Sequence, residues 1–131
     1  MGVKVIQPKT VHDTTSLAYS QATRMGDLVF VAGQVPYDIS GAIVGKGDIR
    51  AQTEQVFANL RAVLEAAGCS LADVGKVTVF TTKLEYRPII HEVRSRVFGE
   101  VGHLPASTLA VVTSLANPDW LVEIEAIAIA R

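Results

Sequence analysis

The chain has 131 residues, which is typical of one domain, and its formal charge is −1 from 12 basic and 13 acidic side chains. No cluster of basic residues occurs, which argues against a nucleic-acid partner, since binding to a phosphate backbone needs concentrated positive charge. The hydrophobic fraction of 49% is high for so short a chain and predicts a homo-oligomer that buries the excess apolar surface.

The N-terminal part of the chain predicts three strands. Val3–Ile6 can form a short strand, and residues 17–25 and 28–32 have the composition of two strands joined in a hairpin. The Gly-Asp pair at residues 26–27 is a favoured two-residue hairpin turn. We expect glycine and proline in residues 33–36 to end the third strand.

A glycine-rich loop at residues 38–47 precedes the most clearly predicted helix. Asp48 can cap its N-terminus, and Gly68 supplies a stop at its C-terminus. The apolar residues between them recur with helical spacing, which predicts an inward-facing stripe. That stripe comprises Ile49, Val56, Leu60, Val63, Leu64 and Ala67.

The C-terminal half predicts one more helix and three more strands. A β-branched run at residues 77–82 is a good strand, and a helix should begin near Pro88, with Ile90, Val93 and Val97 facing inward. Residues 107–113 and 121–129 read as two further strands. The order β-β-β-α-β-α-β-β predicts one α+β domain over residues 1–131. Two helices can cover only one face of its sheet, so a partner must bury the other.

The last predicted strand carries the most informative pattern. Alternation places Glu123 and Glu125 on one face with Leu121, Ile127 and Ile129, while the opposite face is purely apolar. A face that mixes aliphatic residues with glutamates predicts a subunit or ligand as its cover, and a carboxylate held there is a candidate acid or base. The alternative is an exposed edge strand with two solvated glutamates.

Cysteine content and hydropathy indicate the compartment. Cys69 is the only cysteine, so no internal disulfide forms, and we expect an inert thiol in a reducing environment. No apolar run approaches the roughly 18 residues that a membrane span needs, and the N-terminus lacks the apolar core of a signal peptide. We therefore expect a soluble cytoplasmic protein with no membrane partner.

Standard catalytic signatures are absent from the sequence. There is no glycine-rich phosphate loop, no Gly-x-Ser-x-Gly elbow and no paired-cysteine site. His12, His91 and His103 are far apart on different predicted elements, so we expect no metal ion and no cofactor.

Several segments, in order along nearly the whole chain, resemble the RidA/YjgF reactive-intermediate deaminase family. They are YSQA (19–22), FVAGQVP (30–36), QT (52–53), NL (59–60), VLEAAG (63–68), VTVF (77–80) and VEIEAIA (122–128). The resemblance implies a chorismate-mutase-like fold, with a mixed sheet and both helices on one face. It also implies a homotrimer whose three intersubunit clefts bind a small metabolite and hydrolyse enamines or imines to carbonyl compounds and ammonia.

Four residues match positions of the family site. Glu123 corresponds to the glutamate thought to position or activate water, and Tyr19 to the family tyrosine. Ala32 and Gly33 correspond to a Ser-Gly pair in which the serine is changed, and the Gly33 amide can hold a carbonyl or developing anion. Simple structural alternatives remain open: Tyr19 packed at a subunit boundary and Gly33 as a turn glycine.

The substrate-binding positions depart from the family pattern. The family has an arginine directly after Pro-Ala that binds the substrate carboxylate, whereas this chain has Ser107 after Pro105 and Ala106. His91 stands where an asparagine is usual and can act as acid, base or carboxylate partner. Ser107 without a ligand and His91 exposed on its helix are the structural alternatives.

These matches predict a hydrolase that acts on an enamine, imine or related conjugated metabolite. Because Ser107 has no charge, we expect a substrate other than a simple 2-imino acid. If such acids are nevertheless turned over, Arg24, Arg94 or protonated His91 must supply the missing cation. The alternatives are a trimeric module that binds a metabolite without chemistry and a ribonuclease, against which the balanced charge argues.

Overall fold

The computed structural model describes residues 2–130, which form a six-stranded sheet and two α-helices. Short 3₁₀ turns precede β2, β4 and α2. The strands are β1 Val3–Ile6, β2 Ala22–Met25, β3 Leu28–Gln34, β4 Val74–Thr81, β5 Ala106–Val111 and β6 Val122–Ile129, and the helices are α1 Ile49–Ala66 and α2 Arg87–Phe98.

The strands follow the order β1-β2-β3-β6-β4-β5 across the sheet. β4 and β5 are parallel, because α2 carries the chain from one to the other, and every other neighbouring pair is antiparallel. The sheet is therefore mixed, as predicted, with β1 and β5 at its edges and β6 near its centre.

Both helices pack on one face of this sheet. β6 turns its apolar face, from Val122 to Ala128, toward the core, and α1 meets it with fully buried aliphatic side chains such as Leu60 and Leu64. In α2, Ile90 and Val93 are buried and Val97 packs against the same core. The predicted inner faces of the last strand and both helices are thus confirmed.

The local signals for the hairpin and for α1 also agree with the structure. β2 and β3 pair directly across the turn at Gly26, whose φ is 62°. The Asp48 side chain accepts a hydrogen bond from the backbone N–H of Ala51 at 3.1 Å and so caps α1. Gly68, at a φ of 77°, follows the end of the helix.

The two strands of the hairpin differ in length from their predicted bounds. The strand predicted over residues 17–25 begins only at Ala22, because Thr15–Leu17 forms a 3₁₀ turn and Thr14 donates a side-chain hydrogen bond to the carbonyl of Tyr19 at 2.7 Å. β3 does end within residues 33–36, as expected, but at Gln34, two residues later than the predicted bound at residue 32. The side-chain amide of Gln34 donates a hydrogen bond to Oε1 of Gln21 at 2.8 Å and so ties the end of β3 to the segment before β2.

The ends of the C-terminal strands also shift from their predicted positions. β4 begins at Val74, three residues earlier than expected, and includes Gly75. Leu121 lies just outside β6, where its N–H donates to Gln52 and its carbonyl accepts from Thr81.

The face of the sheet opposite the helices is open and largely apolar. Strand alternation and the pairing register place seven exposed apolar side chains on it. These are Val3, Val5, Met25, Leu28, Phe30, Ile127 and Ile129. So large a contiguous apolar surface is unusual on a monomer and is typical of a protein interface. In the described part of the chain, neither helix combines the length and apolar character required to cross a bilayer.

A candidate active site in two halves

Glu123 is the centre of the first half of the site. It projects from β6 onto the open face beside Phe80 of β4, and its side chain is half-buried. Burial raises the pKa of its carboxyl group, and the nearby Glu125 carboxylate raises it further. Within residues 2–130 this carboxylate accepts no hydrogen bond and forms no ion pair, so it is available to a water molecule or a ligand.

Gly33 lies directly against this carboxylate. A β-bulge interrupts the pairing of β3 with β6 between Val31 and Gln34, and neither Ala32 nor Gly33 has a register partner on β6. A Cβ atom added at Gly33 would overlap the Glu123 carboxylate and lie 2.7 Å from its Cδ. Glycine at this position therefore makes room for the carboxylate and is not the turn residue considered from sequence.

Tyr19 and Ala32 complete this half. Tyr19 is 39% exposed, and burial raises the pKa of its hydroxyl, with further contributions from the Glu123 carboxylate and from Tyr37. Ala32 lines a shallow depression of about 320 Å³ on the open face, next to Gly33. The structure thus brings together Glu123, Gly33, Tyr19 and Ala32, which the sequence assigned to one site.

Ser107 belongs to the second half, on the other side of the sheet. It pairs with Val77 of β4, whose side chain is fully buried on the helix-covered face. The Ser107 hydroxyl accepts a hydrogen bond from Nη1 of Arg94 on α2 at 3.0 Å. A cation therefore stands beside the position at which the sequence lacks one.

A cavity of about 190 Å³ lies between α2 and the start of β5. His91 and Pro105 line it, together with Arg94 and Ser107, and His91 Nε2 is 3.5 Å from the Ser95 hydroxyl. Ala106 precedes Ser107 on β5 and so points to the open face rather than into the cavity. Of the predicted substrate-binding residues, His91, Pro105 and Ser107 thus gather here, whereas Ala106 points to the open face and Ala32 lies in the first half.

The two halves lie on opposite faces of the same sheet. Glu123 shares its face with Phe80, whereas Ser107 shares its face with Val77, three residues earlier on β4. A small ligand cannot contact both halves within one chain. Each half therefore needs either a function of its own or a second subunit to complete it.

Arg94 is the functional candidate that the sequence alone does not single out. It appears there only as one of three cations able to replace the family arginine, although its position one turn after Ile90 places it near the inward face of α2. The structure places one of these three candidate cations apart from the other two. Arg24 donates to Gly26 and pairs with Asp27 at the hairpin, whereas Arg94 and His91 both line the cavity.

Cys69, the one cysteine of the sequence, takes no part in either half of the site. Cys69 is buried at the end of α1, and burial raises the pKa of its thiol, as expected for an inert position. Among residues 2–130 no three histidine, cysteine, aspartate or glutamate side chains come together as metal ligands.

Fold and site together define a class of protein, namely a small α+β domain with a carboxylate poised on an uncovered sheet face. The family model described as Endoribonuclease L-PSP matches residues 11–130. The chain therefore belongs to this family, the RidA/YjgF family, as the sequence segments predicted.

Relatives with known names or structures agree with this assignment. A RutC family protein of Pyrococcus abyssi is 47% identical over 110 residues, 84% of each chain. A protein of Dermatophagoides farinae named 2-iminobutanoate/2-iminopropanoate deaminase is 33% identical over 85% of this chain and 84% of its own. The crystal structure of a conserved Rid family protein from Yersinia pestis superposes with a TM-score of 0.93 at 31% identity, covering 98% of this chain and 100% of that one.

Proposed function

We propose that this protein is a deaminase that hydrolyses the C=N bond of a small enamine or imine in a cleft between two subunits. The observation that carries the proposal is the half-buried Glu123 carboxylate, which lies against Gly33 and has no hydrogen-bond or ion-pair partner among residues 2–130. The name of the Dermatophagoides farinae relative supports the reaction class. The buried free thiol of Cys69 fits a reducing, cytoplasmic setting.

The proposed chemistry needs a positioned water and a proton carrier. Water attacks the imine carbon as Glu123 takes one of its protons, the C=N electron pair moves to nitrogen, and Glu123 passes that proton to the nitrogen. In the resulting aminoalcohol Glu123 takes the hydroxyl proton and delivers it to the amino group, the C–N bond breaks with its electron pair on nitrogen, and ammonia and a carbonyl product leave. An enamine first takes a proton on carbon to become the imine. Imines are reactive electrophiles, so positioning accounts for much of the rate.

Glu123 suits this role because its raised pKa makes it a better base than a solvated carboxylate. The Tyr19 hydroxyl lies close enough to Glu123 to feel its charge and can orient the water or the substrate nitrogen. We assign the Gly33 amide, at the bulge, the role of donor to the polarised group of the substrate.

A homotrimer would unite the two halves. The open face carries seven exposed apolar side chains, and no helix of the described chain covers it. In a closed three-fold ring each interface joins different surfaces of its two subunits. One subunit can then supply Glu123, Gly33 and Tyr19, while its neighbour supplies the cavity between α2 and β5.

Hydrolysis is tested with imines that are generated enzymatically within the assay. An amino-acid oxidase converts an amino acid into its 2-imino acid, and an amine trap competes with hydrolysis for that product. We expect the protein to increase 2-oxo acid release at the expense of the trapped adduct, in proportion to its concentration. Tight binding of 2-oxo acids with no effect on imine lifetime would instead favour a binding module.

The binding module remains a second candidate because the cavity beside Arg94 can hold a ligand without any contribution from Glu123. A ribonuclease, which the family description suggests, receives less support. The chain has a net charge of −1 and no basic cluster in its sequence to follow a phosphate backbone.

A further inference from the structure

We propose that Arg94, positioned by Ser107, binds a carboxylate of the ligand, and that the ligand carries an apolar group next to this carboxylate. The proposal deepens the proposed function and rests on it for the identity of the reacting bond. It assigns the anion-binding role to a helix residue, whereas the resemblance described above implies an arginine on the strand.

The Arg94 guanidinium has no acidic partner in the described part of the chain. Within residues 2–130 it forms no ion pair, although Arg96 of the same helix pairs with Glu54, and Arg50 pairs with Glu92 at 2.9 Å. Burial lowers the pKa of Arg94, and the neighbouring Arg87 lowers it further. A partly desolvated cation beside a second cation and without a counter-charge is a favourable site for an anion.

Ser107 holds this cation in place. Its exposed hydroxyl accepts from Nη1 of Arg94 at 3.0 Å, which uses one of the five N–H donors of the guanidinium and orients it toward β5. The other donors stay available for a two-point contact with a carboxylate. Serine is small, and with it at this position the space between α2 and β5 stays open.

The remaining walls of the cavity are mainly apolar. Phe98, Leu104 and Pro105 line it, and Leu104 is 75% exposed at its margin. A ligand whose carboxylate contacts Arg94 places its neighbouring atoms against these side chains. The ligand class is therefore a small organic acid with an aliphatic or aromatic side chain, and the smallest acids make the fewest of these contacts.

Arg94 changes the substrate class expected from Ser107. The sequence predicts a substrate other than a simple 2-imino acid, because serine lacks a charge. Arg94 supplies that charge from α2, so we infer a 2-imino acid or enamine that does carry a carboxylate. The apolar walls still favour side chains longer than the methylene group of 2-aminoacrylate.

Calorimetric binding of 2-oxobutanoate to the purified protein tests the anion site without any catalysis. We expect Arg94→Gln to weaken binding roughly 10- to 100-fold, because a charge-assisted contact is lost. 2-Oxobutanamide, which has the same shape but no charge, should bind weakly to both proteins. Arg96→Gln, on the same helix but facing Glu54, is the matched control and should leave binding unchanged.

A charge swap shows whether Arg94→Gln weakens binding through loss of the cation or through general damage to the fold. In the double variant Arg94→Gln with Ser107→Arg, the cation moves from the helix to the strand. The affinity for 2-oxobutanoate should recover at least half of what Arg94→Gln alone loses. Equal binding by the wild type and Arg94→Gln would overturn the inference. Loss of binding without recovery in the double variant would equally overturn it, since the loss would then reflect structure rather than charge.

Turnover distinguishes this inference from the proposed function. If Arg94→Gln hydrolyses imines with unchanged kcat/KM, the carboxylate-binding role of Arg94 is refuted and the deaminase proposal stands. If the protein binds 2-oxobutanoate in an Arg94-dependent manner but never shortens the lifetime of an imine, the carboxylate-binding role of Arg94 stands and the deaminase proposal is refuted.

Discussion

Glu123→Gln should lower kcat for imine hydrolysis about 100- to 10,000-fold, the range associated with loss of a general base. Glutamine keeps the size and planarity of the side chain against Gly33 but cannot accept a proton from water. The measurement is imine-hydrolysis kinetics with a 2-imino acid generated in place. The acidic limb of the wild-type kcat/KM against pH should lie above the range of an ordinary glutamate, because burial raises the Glu123 pKa. That limb should disappear in the variant.

Stability and a neighbouring residue provide the controls for this experiment. A raised pKa means that the folded state disfavours the ionised form, so Glu123 reduces stability above its folded pKa. Glu123→Gln should therefore unfold at the same or a higher temperature at neutral pH. Glu125→Gln, on the same face of β6, should keep most of the activity and move the acidic limb to lower pH, since Glu125 helps to raise the Glu123 pKa. Equal loss of kcat in both variants would contradict a specific role for Glu123.

Gly33→Ala should reduce kcat about 100-fold, the cost expected when a reacting group moves by roughly 1 Å. The added methyl group would overlap the Glu123 carboxylate, so that side chain has to move. Steady-state kinetics give the effect, and thermal unfolding shows whether the fold is retained.

Gly75→Ala is the matched control for this substitution. Gly75 also lies within a strand, but a Cβ atom there meets no atom within 4 Å. We expect this variant to keep wild-type kinetics. If Gly33→Ala retained full activity, the close approach of Gly33 to Glu123 would have no part in catalysis.

The elements that the sequence predicts well are those with local signals. The hairpin turn at Gly26, the Asp48 cap and the helical spacing of α1 all depend on residues within a few positions of one another. The alternation in β6 is also local, and it placed Glu123 and Glu125 on the open face.

The features that the sequence did not reveal depend on contacts between distant segments. The bulge at Ala32 and Gly33 arises from the pairing of β3 with β6, about 90 residues further along the chain. The irregular segment before β2 is set by Thr14 and by the buried bond between Gln21 and Gln34. No short-range pattern encodes either arrangement.

The candidate site shows the same limit. Resemblance identified Glu123, Gly33, Tyr19 and Ser107 by position, but not the separation of Glu123 and Ser107 on opposite sheet faces. The separation follows from pairing across β4, because Glu123 of β6 pairs with Phe80 whereas Ser107 of β5 pairs with Val77, whose side chain points to the opposite face. The contact of Arg94 with Ser107 likewise depends on how α2 packs over β5, which the spacing of either element alone does not show.

Mixed trimers test most directly whether two subunits build one catalytic cleft. Glu123→Gln removes the proposed base, and Ser107→Trp fills the cavity on the other side of the sheet. Each variant alone should be inactive while remaining trimeric by light scattering. Co-expressed at equal amounts, they should recover about a quarter of wild-type activity, since each mixed ring of three contains one cleft with both halves intact. Activity no higher than that of the separate variants would contradict a cleft shared between subunits.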